Sequence, residues 1–146
     1  MHGVDMSADK LRLRVATPKN VKYDQDADMV IMRCITGDWG ILPNHVPSSA
    51  ILDYGVLRIL NSGEERRMAV FGGIAQVKDN TVTVLANDAQ WPEDIDLSRA
   101  EAERELLKSR RQDDRDILEI QKEQVQMRRT LVQIEVSAYP LISKVD

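Results

Sequence analysis

Apolar and polar positions alternate with a period of two in the first part of the chain, between residues 11 and 89. Residues 11–15 and 81–85 show the alternation most clearly, and it is typical of half-buried β-strands. Other short apolar runs are separated by Gly, Asn, Asp or Ser, and they lie at 27–35, 56–60, 67–71 and 74–77. Short strands with a turn signal every ~8–12 residues predict an antiparallel β-sandwich or barrel.

Turn residues predict how these strands connect. Residues 61–64, Asn-Ser-Gly-Glu, indicate a hairpin turn, and Asp79-Asn80 indicates a second tight turn. The adjacent glycines Gly72 and Gly73 are expected to mark a bend or bulge in the strand that contains them. We predict an antiparallel β-sandwich domain over residues 10–91.

The pattern changes to a helical one after Trp91-Pro92. Residues 93–137 contain no Gly and no Pro, and 21 of these 45 residues are charged, a composition typical of helices. Asp96 or Ser98 can cap the first helix, and Ser98 with Glu101 forms a capping box. A polar break at residues 112–116 separates this helix from a second one, which we expect to end before Pro140. We predict an antiparallel α-helical hairpin over residues 93–139.

The second helix carries an apolar stripe at spacings of three and four. Its members are Ile117, Ile120, Gln124 as a polar interruption, Met127, Leu131, Ile134 and Ala138, and Leu118, Val125 and Val132 widen it on one side. The first helix offers fewer apolar residues, so we expect the two stripes to cover each other and to leave little apolar surface for the sandwich. An element held mainly by its own seam detaches easily. The pattern therefore predicts a rigid β-domain with a movable helical arm.

Composition and charge narrow the function classes. The chain has 146 residues, 42% of them hydrophobic and 30% charged, and its net charge of −4 argues against a nucleic-acid partner. The single cysteine, Cys34, lies in an apolar run and is expected to be a buried hydrophobe in a reducing compartment. No run approaches the ~18 apolar residues of a membrane span. We expect a cytoplasmic protein that meets a membrane only through partners.

The segment Gly-Asp-Trp-Gly-Ile-Leu-Pro-Asn-His-Val-Pro, residues 37–47, concentrates special residues. His45 has no neighbouring histidine or cysteine with which to share a metal, and no phosphate-binding glycine loop is present. We therefore expect no catalytic residue and no metal site. Gly37 and Gly40 are expected to turn the chain tightly, and Trp39 to anchor either the core or a partner contact. This segment is better interpreted as a docking loop.

Four segments, in the same order along the chain, carry a family resemblance. Residues 37–47 are similar to a Gly-x-x-Gly-Ile-Leu-Pro-x-His-x-Pro signature, and residues 95–100, Ile-Asp-Leu-Ser-Arg-Ala, match an Ile-Asp-x-x-Arg-Ala motif. Between them lie Val-Leu-Arg-Ile at 56–59 and Phe-Gly-Gly-Ile-Ala-Gln-Val at 71–77. Together these segments resemble the epsilon subunit of bacterial F-type ATP synthases, over nearly the whole chain.

The resemblance implies a non-catalytic subunit of the central rotor stalk, peripheral to the cytoplasmic face of the bacterial cell membrane. The β-sandwich would bind the gamma subunit and the ring of c subunits, with Asp38, Trp39 and His45 on the edge that meets them. The helical arm would fold against the sandwich, or extend along gamma toward the alpha and beta subunits and restrain ATP hydrolysis. No cofactor is required by this role.

In some family members the folded hairpin binds ATP as a regulator. Asp96, Arg99 and Arg129 match positions of that site, whereas Gln133 stands in place of a second helix-two arginine and Gln90 in place of a glutamate. Because phosphate binding relies on charge-assisted arginine contacts, these departures predict weaker binding.

Three other interpretations of the same residues stay open. Asp96 and Arg99 have a structural alternative, in which Asp96 caps helix one and Arg99 pairs with Glu103. The whole chain has two functional alternatives to the rotor-stalk subunit: a module whose main role is to sense ATP, and a generic adaptor that presents a helical arm.

Overall fold

The computed structural model describes residues 9–110 and 116–139, and the backbone of residues 142–144. Eight strands precede two helices. The strands are β1 (Leu11–Ala16), β2 (Val21–Ala27), β3 (Met29–Cys34), β4 (Gly37–Ile41), β5 (Ser48–Asn61), β6 (Glu64–Lys78), β7 (Thr81–Ala86) and β8 (Ala89–Gln90). After a 3-10 turn at Pro92–Asp94 come α1 (Leu97–Ser109) and α2 (Ile117–Ser137), and a last strand, β9 (Ile142–Lys144), follows. The predicted fold class, a β-sandwich followed by a helical hairpin, is confirmed.

The strands form one sheet in the order β2-β1-β7-β6-β5-β3-β4, folded into the two layers of the sandwich. Strand β6 pairs with β7 through its C-terminal half and with β8 and β9 through its N-terminal half, so the β5–β6 hairpin contributes to both layers. One pair departs from the antiparallel arrangement, since β1 and β7 pair in parallel.

The main core lies between the two layers of the sandwich. Alternate residues of β1, β3 and β7 point into it, which is the burial that the period of two predicts. Its largest fully buried side chains are not aromatic, and they include Leu11, Leu13, Met32, Ile41, Leu57, Ile59 and Met68. Cys34 belongs to this core as predicted, and burial, with a smaller effect of the Asp38 charge, raises the pKa of its thiol. A thiol in this environment is inert.

The paired glycines, expected to mark a bend or bulge, bend β6 without ending it. Gly72 and Gly73 have φ angles of +77° and +137°, which side chains other than glycine rarely adopt. At this point β6 changes its neighbour from β8 to β7, and the backbone of Gly73 approaches so closely that a Cβ would lie 2.2 Å from the carbonyl oxygen of Leu85. The glycines therefore allow one strand to cross between layers.

Strands β2 and β4, and the short strands β8 and β9, escaped the sequence prediction. Strand β2 is mostly polar, and only Tyr23 and Ala27 are buried, because it pairs with β1 at the edge of the sheet. Strand β4 lies within the segment interpreted as a loop, and it pairs with β3. Only Gly37, with φ of +123°, makes the expected turn, whereas Gly40 is a strand residue.

Side-chain caps start both helices. The Asp96 carboxylate accepts a hydrogen bond from the Arg99 amide, and Asp116 does the same for the Glu119 amide. Ser98 lies inside α1, so the alternative cap at Ser98 with its capping box is wrong. The predicted polar break at 112–116 lies, except for Asp116, outside the described residues, as does Pro140; α2 ends at Ser137.

Helix α2 packs on the sandwich through Val132, which lies on the widened side of the predicted stripe, and through Val136, which the stripe did not include. Val132 and Val136 are buried against Ala69 and Phe71 of β6 in a second, separate apolar cluster. Ile117, Gln124, Leu131 and Ala138, four members of the stripe, are exposed instead. Helix α2 has apolar residues around much of its circumference, so periodicity alone placed the centre of the stripe away from the buried valines. The expectation that little apolar surface holds the arm to the sandwich stays a prediction. Independent folding of 10–91 and 93–139 stays a prediction.

Candidate functional site

Strand β4 and the turn after it contain the three predicted docking residues, with Asp38 and Trp39 on opposite faces of the strand. Asp38 is exposed and pairs with Arg33 at 3.6 Å. Trp39 is half-buried and packs against the main core, and its contact with a partner stays a prediction. The His45 ring meets the Trp39 ring edge-on at 5.8 Å, and its Nδ1 lies 2.8 Å from the carbonyl oxygen of Val46. Trp39 and His45 therefore contact each other, whereas Asp38 contacts Arg33.

An exposed apolar row crosses the outer face of the sandwich, and sequence reasoning missed it. Ile51 on β5 pairs with Ile74 on β6, which pairs with Leu85 on β7. These side chains are 57%, 52% and 50% exposed. Ile35 is also exposed and is joined to this row through a hydrogen bond from its amide to the Ile51 carbonyl. We call Ile35, Ile51, Ile74 and Leu85 the apolar row. Contiguous exposed apolar surface of this kind marks an interaction site.

Charged side chains surround the contact between α2 and the sandwich. Arg129 donates to the Asp88 carboxylate at 2.7 Å, and its guanidinium lies 4.0 Å from the centre of the Phe71 ring. On the other side of the helix, Arg33 lies 3.6 Å from Glu135. Arg33 also pairs with Asp38, so it links the predicted docking surface to the end of the arm.

Asp88 was not predicted, because it precedes Arg129 by 41 residues and belongs to no motif. Burial acts to raise the pKa of Asp88, but hydrogen bonds from Arg129 and from the Ala89 amide, together with the Arg129 charge, outweigh it and lower the pKa. The lowered pKa means that the folded position of the arm favours the ionised carboxylate.

A cleft of about 590 Å³ lies between α1, α2 and the segment that leads into α1, and it brings together Asp96, Arg99 and Arg129 as the motif predicted. Two of the three are engaged by the protein itself. Asp96 caps α1, and Arg129 is held by Asp88. The predicted pair of Arg99 with Glu103 does not form among the described residues, so Arg99 is the cationic side chain of this motif without an ion pair there.

Two neutral features complete the cleft. Gln133 donates to the Gln90 side-chain oxygen at 2.8 Å, so the two glutamines that depart from the family motif pair with each other. Thr130 lines the cleft with a hydroxyl that is 1% exposed and has no hydrogen-bond partner among the described residues. Hydroxyl and guanidinium donors suit an anion, and the cleft holds no nucleophile beside a base. The arrangement can bind, but it does not provide bond chemistry.

The described residues contain neither a metal-site cluster nor a membrane-spanning helix. Within 9–110 and 116–139 no cluster of three or more His, Cys, Asp or Glu has the geometry of a metal site. Neither α1 nor α2 is long and apolar enough to span a membrane.

Comparison with known proteins identifies relatives along the chain. Residues 10–92 match the family described as ATP synthase, delta/epsilon chain, beta-sandwich domain. The ATP synthase epsilon chain of Alkalihalophilus pseudofirmus is 42% identical over 100 residues, which are 68% of this chain and 75% of that one. The epsilon chain of Prochlorococcus marinus strain NATL1A is 41% identical over 106 residues, 73% of this chain and 78% of that one.

Two solved structures share the fold. A chain in the structure of the Euglena gracilis mitochondrial ATP synthase, comprising OSCP, F1 and the c ring, superposes with a TM-score of 0.77 at 18% identity. The match covers 95% of this chain and 88% of that one. A chain of the central stalk and c ring of the Tetrahymena thermophila mitochondrial enzyme gives 0.59 at 15% identity, over 86% and 95% of the two chains. At these identities the likeness concerns the fold.

Proposed function

Because the chain belongs to the ATP synthase epsilon family, whose members are non-catalytic subunits of the rotary ATP synthase, we propose that it couples rotation to ATP synthesis through its sandwich and restrains ATP hydrolysis through its helical arm. The observation that carries the regulatory part is the separation of the two apolar clusters. The main core lies within the sandwich, and the cluster of Val132 and Val136 with Ala69 and Phe71 lies outside it. The arm can therefore leave while the sandwich keeps its core.

The deciding experiment compares ATP hydrolysis by the assembled complex with the full chain and with a chain that ends at Trp91. Removal of an inhibitory arm is expected to raise hydrolysis, while copurification with the gamma subunit persists. If the shortened chain assembles and hydrolysis is unchanged, the arm has no restraining role. If the shortened chain does not assemble, the sandwich depends on the arm and the two-part organisation is wrong.

The apolar row supports the part of the proposal that concerns the sandwich, because it offers a surface that can dock on the gamma subunit. Aliphatic side chains that are half exposed on a rigid sheet form a surface that association would remove from water, at ~25 cal/mol per Å² of apolar area. The double substitution Ile51→Ser and Ile74→Ser should abolish copurification with gamma. Leu118→Ser, at a 67% exposed position on the arm, is the matched control. Equal recovery of gamma with both proteins would exclude the row as the docking surface. Failure of the unchanged chain to recover gamma would favour the generic adaptor.

Asp38 and His45 support a contact with the c ring beside the gamma subunit. Asp38 lies in β4, and His45 lies on the following turn, which contains Pro43 and Pro47 and is tied to the β6–β7 turn by a hydrogen bond from the Asn44 amide to Asn80. A rigid polar edge is suited to a contact that bears torque. In this arrangement the subunit is peripheral at the cytoplasmic face of the bacterial membrane, and the extended arm reaches the alpha and beta subunits.

Binding of ATP in the cleft is the second candidate function. Arg99 and the Thr130 hydroxyl support it, since both are donors without a partner among the described residues that line the cleft. Asp88 opposes it, because its carboxylate already holds Arg129. Calorimetric titration with ATP should show binding that Arg99→Ala abolishes and Asp88→Asn strengthens. Absence of heat with both the wild type and Asp88→Asn would eliminate the sensor function.

A further inference from the structure

The last strand, β9, is placed where it can restrain the arm. It pairs antiparallel with β6, in the register Glu64 with Lys144, Glu65 with Ser143 and Arg66 with Ile142. These residues of β6 pair with β5 on their other side. The sheet therefore continues through residues that come after the arm in the chain, and the arm is connected to the sandwich at both of its ends.

Helix α2 and β9 hold the same strand from two directions. Val132 and Val136 cover the outer face of β6 at Ala69 and Phe71, and β9 occupies its edge a few residues earlier. At the end of α2, the Tyr139 ring lies 3.5 Å from the guanidinium carbon of Arg67. The helix end is thus in contact with β6 immediately before the chain reaches β9.

Arg67 also belongs to a buried ionic group in the same part of β6. It donates to the carboxylate of Glu65, which is 4% exposed and accepts two further hydrogen bonds from Arg58, at 2.7 and 3.1 Å. Glu65 is in turn the residue opposite Ser143 of β9. The end of the arm, the ionic group and β9 are therefore neighbours, and the departure of one alters the surroundings of the others.

Chain length makes β9 incompatible with an extended arm. Five residue steps connect Ser137, where α2 ends, with Ile142, where β9 begins, and an extended chain spans roughly 3.3–3.6 Å per step, or about 18 Å in total. Helix α2 has 21 residues, a length of about 32 Å. As long as β9 stays paired, the end of α2 cannot move away by even one length of that helix.

We propose that β9 is a releasable strap, and that its separation from β6 is a required step in the extension of the helical arm. The inference rests on the proposed function of the arm as a movable element, and it adds the regulation of that movement. While the strap is paired, it raises the effective concentration of α2 at its docking surface. Its release exposes the edge of β6 at Glu64–Arg66 and frees the arm at one end.

The first experiment uses the isolated full chain and does not depend on inhibition. Hydrogen exchange of the α2 amides is compared between the wild type and the variant Ser143→Pro with Lys144→Pro. Adjacent residues of a strand direct their N–H groups to opposite sides, so one of the two prolines removes an N–H that faces β6. Exchange in α2 should accelerate roughly tenfold or more, with the sandwich unchanged. Ser143→Ala with Lys144→Ala is the matched control. If the proline variant exchanges within about twofold of the alanine variant, β9 is not a strap.

The second experiment locks the strap within the assembled complex. Glu64 and Lys144 are opposed residues, and opposed Cα atoms of antiparallel strands lie ~4.5–5.5 Å apart, which is within the range of a disulfide. The variant carries Glu64→Cys and Lys144→Cys with Cys34→Ala. The disulfide keeps β9 paired and so prevents extension of the arm. If the extended arm inhibits, ATP hydrolysis should therefore be higher in the oxidised complex than after reduction.

Comparison of the variants separates the strap hypothesis from the proposed inhibitory function of the arm. If deletion after Trp91 raises hydrolysis but oxidation does not, the arm extends without releasing β9 and the strap is refuted. If neither change affects hydrolysis while the proline variant accelerates α2 exchange, the strap stands and the inhibitory function fails.

Discussion

Replacement of Val136 by alanine tests whether the arm is an energetically separate unit. Val136 is fully buried between α2 and β6, with Ala69, Phe71 and Val132. The substitution removes two carbon atoms, worth ~0.8 kcal/mol each, and it leaves a small cavity that adds to the cost. We expect docking of α2 to weaken by about 2 kcal/mol, which corresponds to a roughly 30-fold larger undocked population.

The assay is native-state hydrogen exchange, resolved by segment. Exchange of the α2 amides should accelerate by that factor, whereas the amides of β1, β3 and β7 should keep the rates of the wild type. Val125→Ala is the matched control, since it makes the same change on the same helix at a side chain that is 44% exposed. Replacement of valine by alanine raises helix propensity by about 0.5 kcal/mol in both variants. The difference in α2 exchange between Val136→Ala and Val125→Ala therefore reports the effect of burial alone.

Two results would refute this reasoning. If amides of the sandwich core accelerate together with those of α2, the chain unfolds as one cooperative unit, and the division into residues 10–91 and 93–139 is wrong. If Val136→Ala accelerates α2 no more than Val125→Ala, the cluster at Phe71 does not hold the arm.

Three further predictions concern the crossing of β6, the Asp88 contact and the isolated sandwich. Gly73→Ala should lower the free energy of unfolding, measured by urea denaturation, by about 3 kcal/mol, because it adds backbone strain and overpacking. Gly37→Ala is the control, since Gly37 has a similar positive φ but open space around it, and it should lower the free energy of unfolding about half as much. Equal losses in the two variants would exclude the contact with Leu85 as the cause. Because the pKa of Asp88 is lowered in the folded state, its stabilisation of the docked arm is present above the ordinary aspartate pKa of about 3.9 and is lost as the pH falls through the lowered value. The difference in α2 exchange between wild type and Asp88→Asn should therefore shrink below about pH 4, and a constant difference would contradict the assignment. A chain that ends at Trp91 should show a cooperative thermal transition by circular dichroism and a sheet spectrum, since its main core is complete without the helices, and a spectrum of an unfolded chain would show that this core needs the arm.

The local sequence pattern was sufficient to predict a structural element wherever the environment of its residues is set by their neighbours in the chain. The alternation in 11–15 and 81–85 predicted β1 and β7, because side chains of a strand point alternately to its two faces. Asp79 and Asn80 have φ angles of +52° and +57° and form the predicted tight turn. Asp96 caps α1, since a carboxylate can bond the free amides of the first turn. The motif at 95–100 likewise located one side of the cleft.

Tertiary structure alone decided which apolar surface is covered and by what. Residues 68–71 of β6 are buried on both faces, by the sandwich on one side and by α2 on the other. Their sequence does not indicate that α2 is the element that covers the second face. The exposed apolar row uses the same residue types as the core, so it emerged only when the strands were placed side by side. Asp88 and Arg129 are distant in sequence and meet only because α2 folds back onto the sandwich. The physical reason is that periodicity records how apolar a face is, whereas the contacts of that face depend on which elements the chain brings to it.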